Sequence, residues 1–230
     1  MNENIKNNPQ LSHKVTVITK ILAKNNQMAD EIREKWDKQN ITCFNLMSSP
    51  GSGKTTTLEN LVDELPKFGV IEGDLETSRD AQRLRDKGVW SFQLQTGSAC
   101  HLDAGMVKNA LDKFPYDEVE IAFIENVGNL VCPASYDVGA HFNIVFVSVP
   151  EGDDKIEKYP VMFRKADLIV ITKVDMIEFF DFDINKAKNN AKKLAPNAPV
   201  ILLNNKTKEG LDELVKWIEE KHKENLISRI

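Results

Sequence analysis

The stretch Ile41–Leu61, "ITCFNLMSSPGSGKTTTLENL", decides how the rest of the chain is read. It opens on a mostly apolar run of strand length, passes through a turn of small residues, and from Lys54 takes the spacing of an amphipathic helix. Gly51 and Gly53 let backbone N–H groups turn inward around phosphate oxygens with no Cβ in the way. Lys54 can reach the outer phosphates, the Thr55 hydroxyl can ligate magnesium, and Ser52 and Thr56 complete the loop. The helix start adds the positive end of its dipole. Ser48 departs from the usual G-x-x-x-x-G-K-[ST] pattern, standing where the first glycine would be. A glycine-rich turn with no ligand is the bland alternative, and strand, loop and helix in the required order speak against it.

Outward from this loop the chain alternates short apolar runs with helical stretches. "GVIEG", "SFQLQ", "EIAFIEN", "NIVFVSV", "DLIVIT" and "PVILL" join the first run as strand candidates. Several are apolar throughout, as strands covered on both faces must be. Helices are expected to begin near Lys54, Thr77, Cys100, Asp154, Asp183 and Glu209. Such alternation predicts an α/β fold, a mainly parallel sheet flanked by helices. Residues 1–40 read as a polar leader and helical extension, one long helix or two short ones, with Val17, Ile21, Met28, Ile32 and Trp36 at helical spacing. Residues 41–230 read as the nucleotide-binding domain, without internal repeat or linker.

Composition narrows the function. A formal charge of −5 with no long basic run argues against a nucleic-acid partner. The polar beginning "MNENIKNNPQ" lacks the apolar core of a signal peptide, and no apolar run is long enough to span a bilayer. Three cysteines, an odd number, suggest free thiols in a reducing compartment. A cytoplasmic protein with no membrane partner is expected.

The chemistry gathers at strand ends. In "LIVITKVDM", Thr172, Lys173 and Asp175 occupy the place of the guanine-reading N-K-x-D motif. The Asp175 carboxylate can accept from guanine N1–H and the exocyclic amine, a donor pair that adenine lacks. The Lys173 stem can lie against the base, and Asn205 and Lys206 in "LLNNKTKEG" can flank it. Thr172 keeps one hydroxyl but lacks the asparagine amide that ties this loop to the phosphate loop, a change that bears on affinity more than on specificity. A solvent-facing strand end is the alternative. Asp74 and Glu125 end two other strands, where acidic groups can hold magnesium directly or through water, or serve merely as a helix cap and a solvated strand end. Cys100, His101 and Cys132 form a sulfur-and-nitrogen set suited to Zn²⁺ or Ni²⁺, unless the thiols are simply small buried groups, as expected for Cys43. Three ligands do not close a tetrahedral site, so an exchangeable ion or a site shared across a two-fold dimer fits better. Cys132 follows Glu125 by seven residues, so a loop ordered by the γ-phosphate should also fix the thiol, linking nucleotide state to metal affinity.

Taken together, "SSPGSGKTT", "EGDLETSRDAQRL", "TGSACHLDA", "ENVGNLVCPASYDVGAHFN", "SVPEGDDKIEKYP" and "TKVD" resemble the HypB family of hydrogenase nickel-incorporation GTPases. The resemblance implies a P-loop NTPase fold, GTP and GDP with Mg²⁺, and a homodimer favoured by GTP and metal. It also implies nickel delivery to a [NiFe]-hydrogenase precursor alongside other nickel-maturation proteins. The family's interfacial metal ligands fall on Cys100, His101 and Cys132, and its nucleotide residues on the phosphate loop, Asp74, Glu125 and the Lys173–Asp175 turn. No histidine-rich tract or cysteine motif stands near residue 1, so tight nickel storage is not expected. The related urease accessory GTPase would carry Cys-Pro-His, whereas Ala134 follows Cys132-Pro133; service to both enzymes stays open. A small-molecule kinase would need a lid, with only Arg79, Arg83 and Arg85 to supply it, and would leave Asp175 without a role. A scaffold with a vestigial site sits poorly with an intact Lys54 and Thr55.

Overall fold

Each of the seven apolar runs becomes a strand, and every strand pair is parallel. The computed structural model describes residues 9–74, 79–97 and 99–229, with side chains from residue 17 onward. The strands are β1 (Thr42–Met47), β2 (Phe68–Asp74), β3 (Trp90–Gln95), β4 (Ile121–Glu125), β5 (Phe142–Ser148), β6 (Leu168–Thr172) and β7 (Val200–Leu203). They lie in the order β3-β2-β4-β1-β5-β6-β7. The order reverses at β1, so a crevice opens beyond its carboxyl end, between the continuations of β4 and β5. That crevice receives the phosphate loop.

The helices are α1 (Pro9–Lys38), α2 (Lys54–Leu61), α3 (Arg79–Asp86), α4 (Ala104–Leu111), α5 (Lys155–Lys158), α6 (Pro160–Arg164), α7 (Ile184–Leu194) and α8 (Leu211–Ile227). Alternation along β1 sends Phe44 and Leu46 to a core shared with Leu58 of α2 and Trp217 and Ile218 of α8. Cys43 faces the opposite side, among Ile32 and Trp36 of α1 and Val107 and Ala110 of α4. A third cluster packs Val145 and Ile171 against Met162, Phe163 and Ala187 under the far edge. The described residues contain no helix long and apolar enough to cross a membrane.

Two readings of the sequence are refined. The extension is one helix of 30 residues. Its stripe buries Ala29, Ile32 and Trp36, but Val17 and Ile21 stay 42% and 53% exposed, because the helix outruns the surface beneath it. The helix expected at Cys100 starts instead at Ala104, since Asp103 supplies the cap by accepting from the Met106 N–H. Cys100 and His101 therefore sit in the loop before the helix, not in its first turn. The start expected near Thr77 lies outside the described residues, and α3 is described from Arg79.

At the sheet's other end the His141 side chain is only 6% exposed, accepting at Nδ1 from the Cys43 N–H at 2.9 Å and meeting Asp37 Oδ1 through Nε2 at 3.0 Å. Arg229 reaches the same carboxylate at 2.8 Å. Burial pushes this imidazole down to about 4, against the pull of Asp37. An unfolded chain takes up that proton near the ordinary value, so it binds more protons than the fold below about pH 6.5. Stability should consequently fall as pH drops from there toward 4, by on the order of a few kcal/mol. Urea unfolding of native protein and His141→Asn across this range should give a flatter pH slope for the variant. Parallel slopes would show that His141 does not set acid sensitivity.

Candidate nucleotide and metal site

The loop after β1 is wound as a phosphate cradle. Gly51 and Gly53 take φ of +72° and +93°, a region that residues with a Cβ rarely adopt. Lys54 and Thr55 are buried at the start of α2. The Lys54 ammonium donates to the Ser48 hydroxyl at 2.7 Å, so the residue that replaces the usual glycine supplies the lysine with an acceptor. Burial pushes the Lys54 pKa down, and nearby carboxylates, Glu125 foremost, oppose the shift. Ser52 donates to Glu151 Oε1 at 2.8 Å, which also accepts from Ser148, tying the loop to the end of β5. Thr56 accepts from Arg83 at 3.3 Å.

A cavity of about 400 Å³ lies over this cradle, with Glu72, Asp74 and Glu125 in its wall. Thr55 donates to Glu125 Oε1 at 2.8 Å. Glu72 and Glu125 are register partners on β2 and β4 and are 2% and 5% exposed. Each leaves one buried oxygen, Oε2, without a hydrogen-bond partner among the described residues. Burial, with Glu125 adding to it, pushes Glu72 up to about 8, and burial raises Glu125 as well. Unpaired oxygens beside a threonine hydroxyl are the donor chemistry that a hard divalent cation requires. Gly128 presses on the cradle: a Cβ there would meet Pro50 at 2.7 Å.

A second cavity of about 230 Å³ shares Gly53, Thr56 and Lys173 with the first and adds Asp175, Met176, Asn205 and Lys206. Lys173 holds φ of +57°, turning the chain so that Asp175 faces this space. The Lys206 ammonium pairs with Asp175 at 2.7 Å and holds its carboxyl below the usual carboxylate range. Asn205 is bound instead to α2, donating to Thr57 Oγ1 at 3.0 Å and accepting from Asn60. The hydroxyl that Thr172 keeps in place of the amide makes a tie to the phosphate loop. It donates to the Ser52 carbonyl at 2.6 Å and does the work assigned to an asparagine amide. Arg83 is engaged by Glu59 and Asp80, and Arg85 by Gln82 and the Ser91 carbonyl, which leaves neither as a free lid arginine.

Cys100, His101 and Cys132 converge although 32 residues separate the thiols. One ligand atom from each lies within 4.8 Å of the others. The Cys100 thiol donates to the Cys132 sulfur at 2.9 Å, and Cys100 Sγ stands 3.9 Å from His101 Nδ1. The contact with Cys100 pushes the Cys132 thiol up, while burial lowers His101 and favours its neutral, ligating form. Tyr136 stacks on the His101 ring with centroids 3.9 Å apart. Cys43 is the small buried thiol expected, raised by burial.

Glu72, Glu151, Tyr136 and Asn126 escape the reading by motif. Glu72 carries a signal, an acid two residues from Asp74 inside an otherwise apolar strand. Glu151 carries another, the Ser148-x-x-Glu151 capping box. Tyr136 and Asn126 carry none, because their partners are set by tertiary approach.

Residues 42–202 match the family model described as the CobW/HypB/UreG nucleotide-binding domain. The chain is 49% identical over 229 residues to the hydrogenase/urease maturation factor HypB of Helicobacter pylori strain ATCC 700392 / 26695, covering 97% of this chain and 95% of that one. The solved structure of Helicobacter pylori HypB in complex with nickel superposes with a TM-score of 0.85 at 48% identity, covering 88% of this chain and 97% of that one. The hydrogenase maturation factor HypB of Archaeoglobus fulgidus follows at a TM-score of 0.82 and 38% identity, covering 87% of this chain and all of that one.

Replacing Thr172 with valine keeps its shape but leaves the Ser52 carbonyl without this donor. Thr172→Val should cost about 1–2 kcal/mol in urea unfolding of the nucleotide-free protein. A midpoint equal to the native one would show that the tie contributes nothing.

Proposed function

The chain belongs to the HypB group of the CobW/HypB/UreG nucleotide-binding family, and from that premise we propose that it hydrolyses GTP and carries nickel for [NiFe]-hydrogenase maturation. The observation that carries this reading is the single loop that leaves the nucleotide cavity at Glu125 and reaches the sulfur-and-nitrogen cluster at Cys132. A phosphate cradle alone fits many hydrolases and kinases. A soft ligand trio, one member of which lies seven residues further along the same loop, fits a protein whose cargo is a metal.

In this reading the cradle N–H groups and Lys54 take the phosphates, and the second cavity takes the base. Asp175 accepts from guanine, which must displace or share the Lys206 ammonium. Thr55, Asp74 and Glu125 would hold magnesium, with the unpaired oxygen of Glu72 close by. That ion would supply neutralisation of charge building between the β- and γ-phosphates. Cys100, His101 and Cys132 are the nickel donors, with zinc as the other ion of matching softness. Three donors leave coordination positions open, so a second copy of the chain completes the site when GTP favours the homodimer. Cargo then passes to other nickel-maturation proteins and the hydrogenase precursor, in the cytoplasm. Service to urease as well is a second reading, favoured by the name of the Helicobacter pylori relative.

Two measurements test the assignments. Asp175→Ala should weaken GTP binding by about 2–3 kcal/mol, the scale of a hydrogen bond to a charged group, and leave ATP binding nearly unchanged. Equal affinity of the native protein for GTP and ATP would remove the guanine reading. The Cys100→Ser, Cys132→Ser double variant should lose most affinity for Ni²⁺ and Zn²⁺, and native binding should release protons and weaken in acid. Unchanged metal titrations in that variant would place the metal elsewhere.

A further inference from the structure

Between the nucleotide cavity and the metal cluster lies one buried carboxamide. Asn126 is 1% exposed and directly follows Glu125, the acceptor of the Thr55 hydroxyl. Its backbone N–H donates to the Leu46 carbonyl of β1 at 3.0 Å. Its side-chain oxygen accepts from two backbone groups, the Leu102 N–H and the Val127 N–H, each at 3.0 Å. Its amide nitrogen donates to Asn45 Oδ1 at 3.3 Å, and Asn45 in turn donates to Asn143 Oδ1 at 2.9 Å. Two loops thus share one acceptor atom: the one that carries Cys132, and the one that carries Cys100 and His101.

Leu102 makes that connection stiff. Its side chain is fully buried against Gly73, where an added Cβ would meet Leu102 Cγ at 2.6 Å. Gly73 stands between Glu72 and Asp74, so the residue after His101 is wedged onto the end of the strand that lines the phosphate cavity. A buried N–H stripped of its acceptor costs free energy, so Leu102 and Val127 must follow the carboxamide. Packed and hydrogen-bonded groups with two arrangements are one physical means by which two sites bias each other.

We propose that Asn126 is a positioning residue that couples nucleotide state to the metal ligands, making the 125–128 and 100–102 loops move as one body. The proposal rests on the linkage of nucleotide and nickel in the reading above, and adds the group that transmits it.

The test measures the affinities of the full chain for GDP and for a nonhydrolysable GTP analogue, each with and without Zn²⁺, in native protein, Asn126→Ala and Asn126→Asp. In native protein Zn²⁺ should change the analogue-to-GDP affinity ratio by roughly 5–150-fold. In Asn126→Ala that change should fall to within about two-fold of none, while circular dichroism confirms the fold. Asn126→Asp keeps an acceptor for both N–H groups and should keep the coupling, which also decides the matter if the alanine variant does not fold. A folded Asn126→Ala with native coupling, or an Asn126→Asp without it, overturns the role of Asn126 alone. Absence of coupling in the native protein overturns the linkage itself and this inference with it.

Discussion

A carboxylate taken almost wholly out of water is costly unless each of its oxygens meets a donor or a cation. Glu125 meets that condition halfway: one oxygen accepts from Thr55 and the other has no partner among the described residues. Much of the neighbourhood follows from this half-met need. Thr55 is held at the first turn of α2, Glu72 stands beside Glu125 with the same deficit, and the Lys54 ammonium lies near enough to oppose the upward shift of Glu125. The strand order supplies the setting. Reversal at β1 opens the space into which the cradle folds, and β4 is the strand that delivers Glu125 to its edge.

The same geometry explains why thiols belong near a nucleotide. The backbone that leaves β4 passes Pro50 at Gly128, where no Cβ would fit, and continues into the short turn that begins with Cys132. In the proposed reading, movement of the cradle against Gly128 would reach Cys132 along a few residues. The opposite donors hang on Leu102, itself packed on Gly73 beside Asp74. Both halves of the cluster are thus anchored to walls of the phosphate cavity.

Much of the architecture was legible because parallel strands buried on both faces leave near-continuous apolar runs. "DLIVIT" and "NIVFVSV" could hardly be anything else, and the cradle announced itself through Gly51, Gly53, Lys54 and Thr55. Helix ends were less legible. Asp103 caps the helix, which begins at Ala104, four residues later than expected. The convergence of Cys100 and His101 with Cys132 could be suspected from strand ends, but their distances depend on how two loops pack. Thr172 marks the limit of reading by motif. A threonine in an asparagine's place suggests a lost bond, yet its hydroxyl reaches Ser52 because β6 runs close enough to the cradle. Glu72 stood out as an acid inside an apolar strand, but its pairing with Glu125 needed sheet register, and the role of Asn126 needed the approach of two loops.

In the proposed function the nucleotide decides how firmly nickel is held. The direct measurement is a nickel titration of the native chain saturated with a nonhydrolysable GTP analogue and, separately, with GDP, each paired with sedimentation. Two affinities that differ by roughly 5–150-fold are expected, with the analogue favouring the dimer. Identical affinities and identical sedimentation under both nucleotides would contradict the claim and leave two independent sites on one fold.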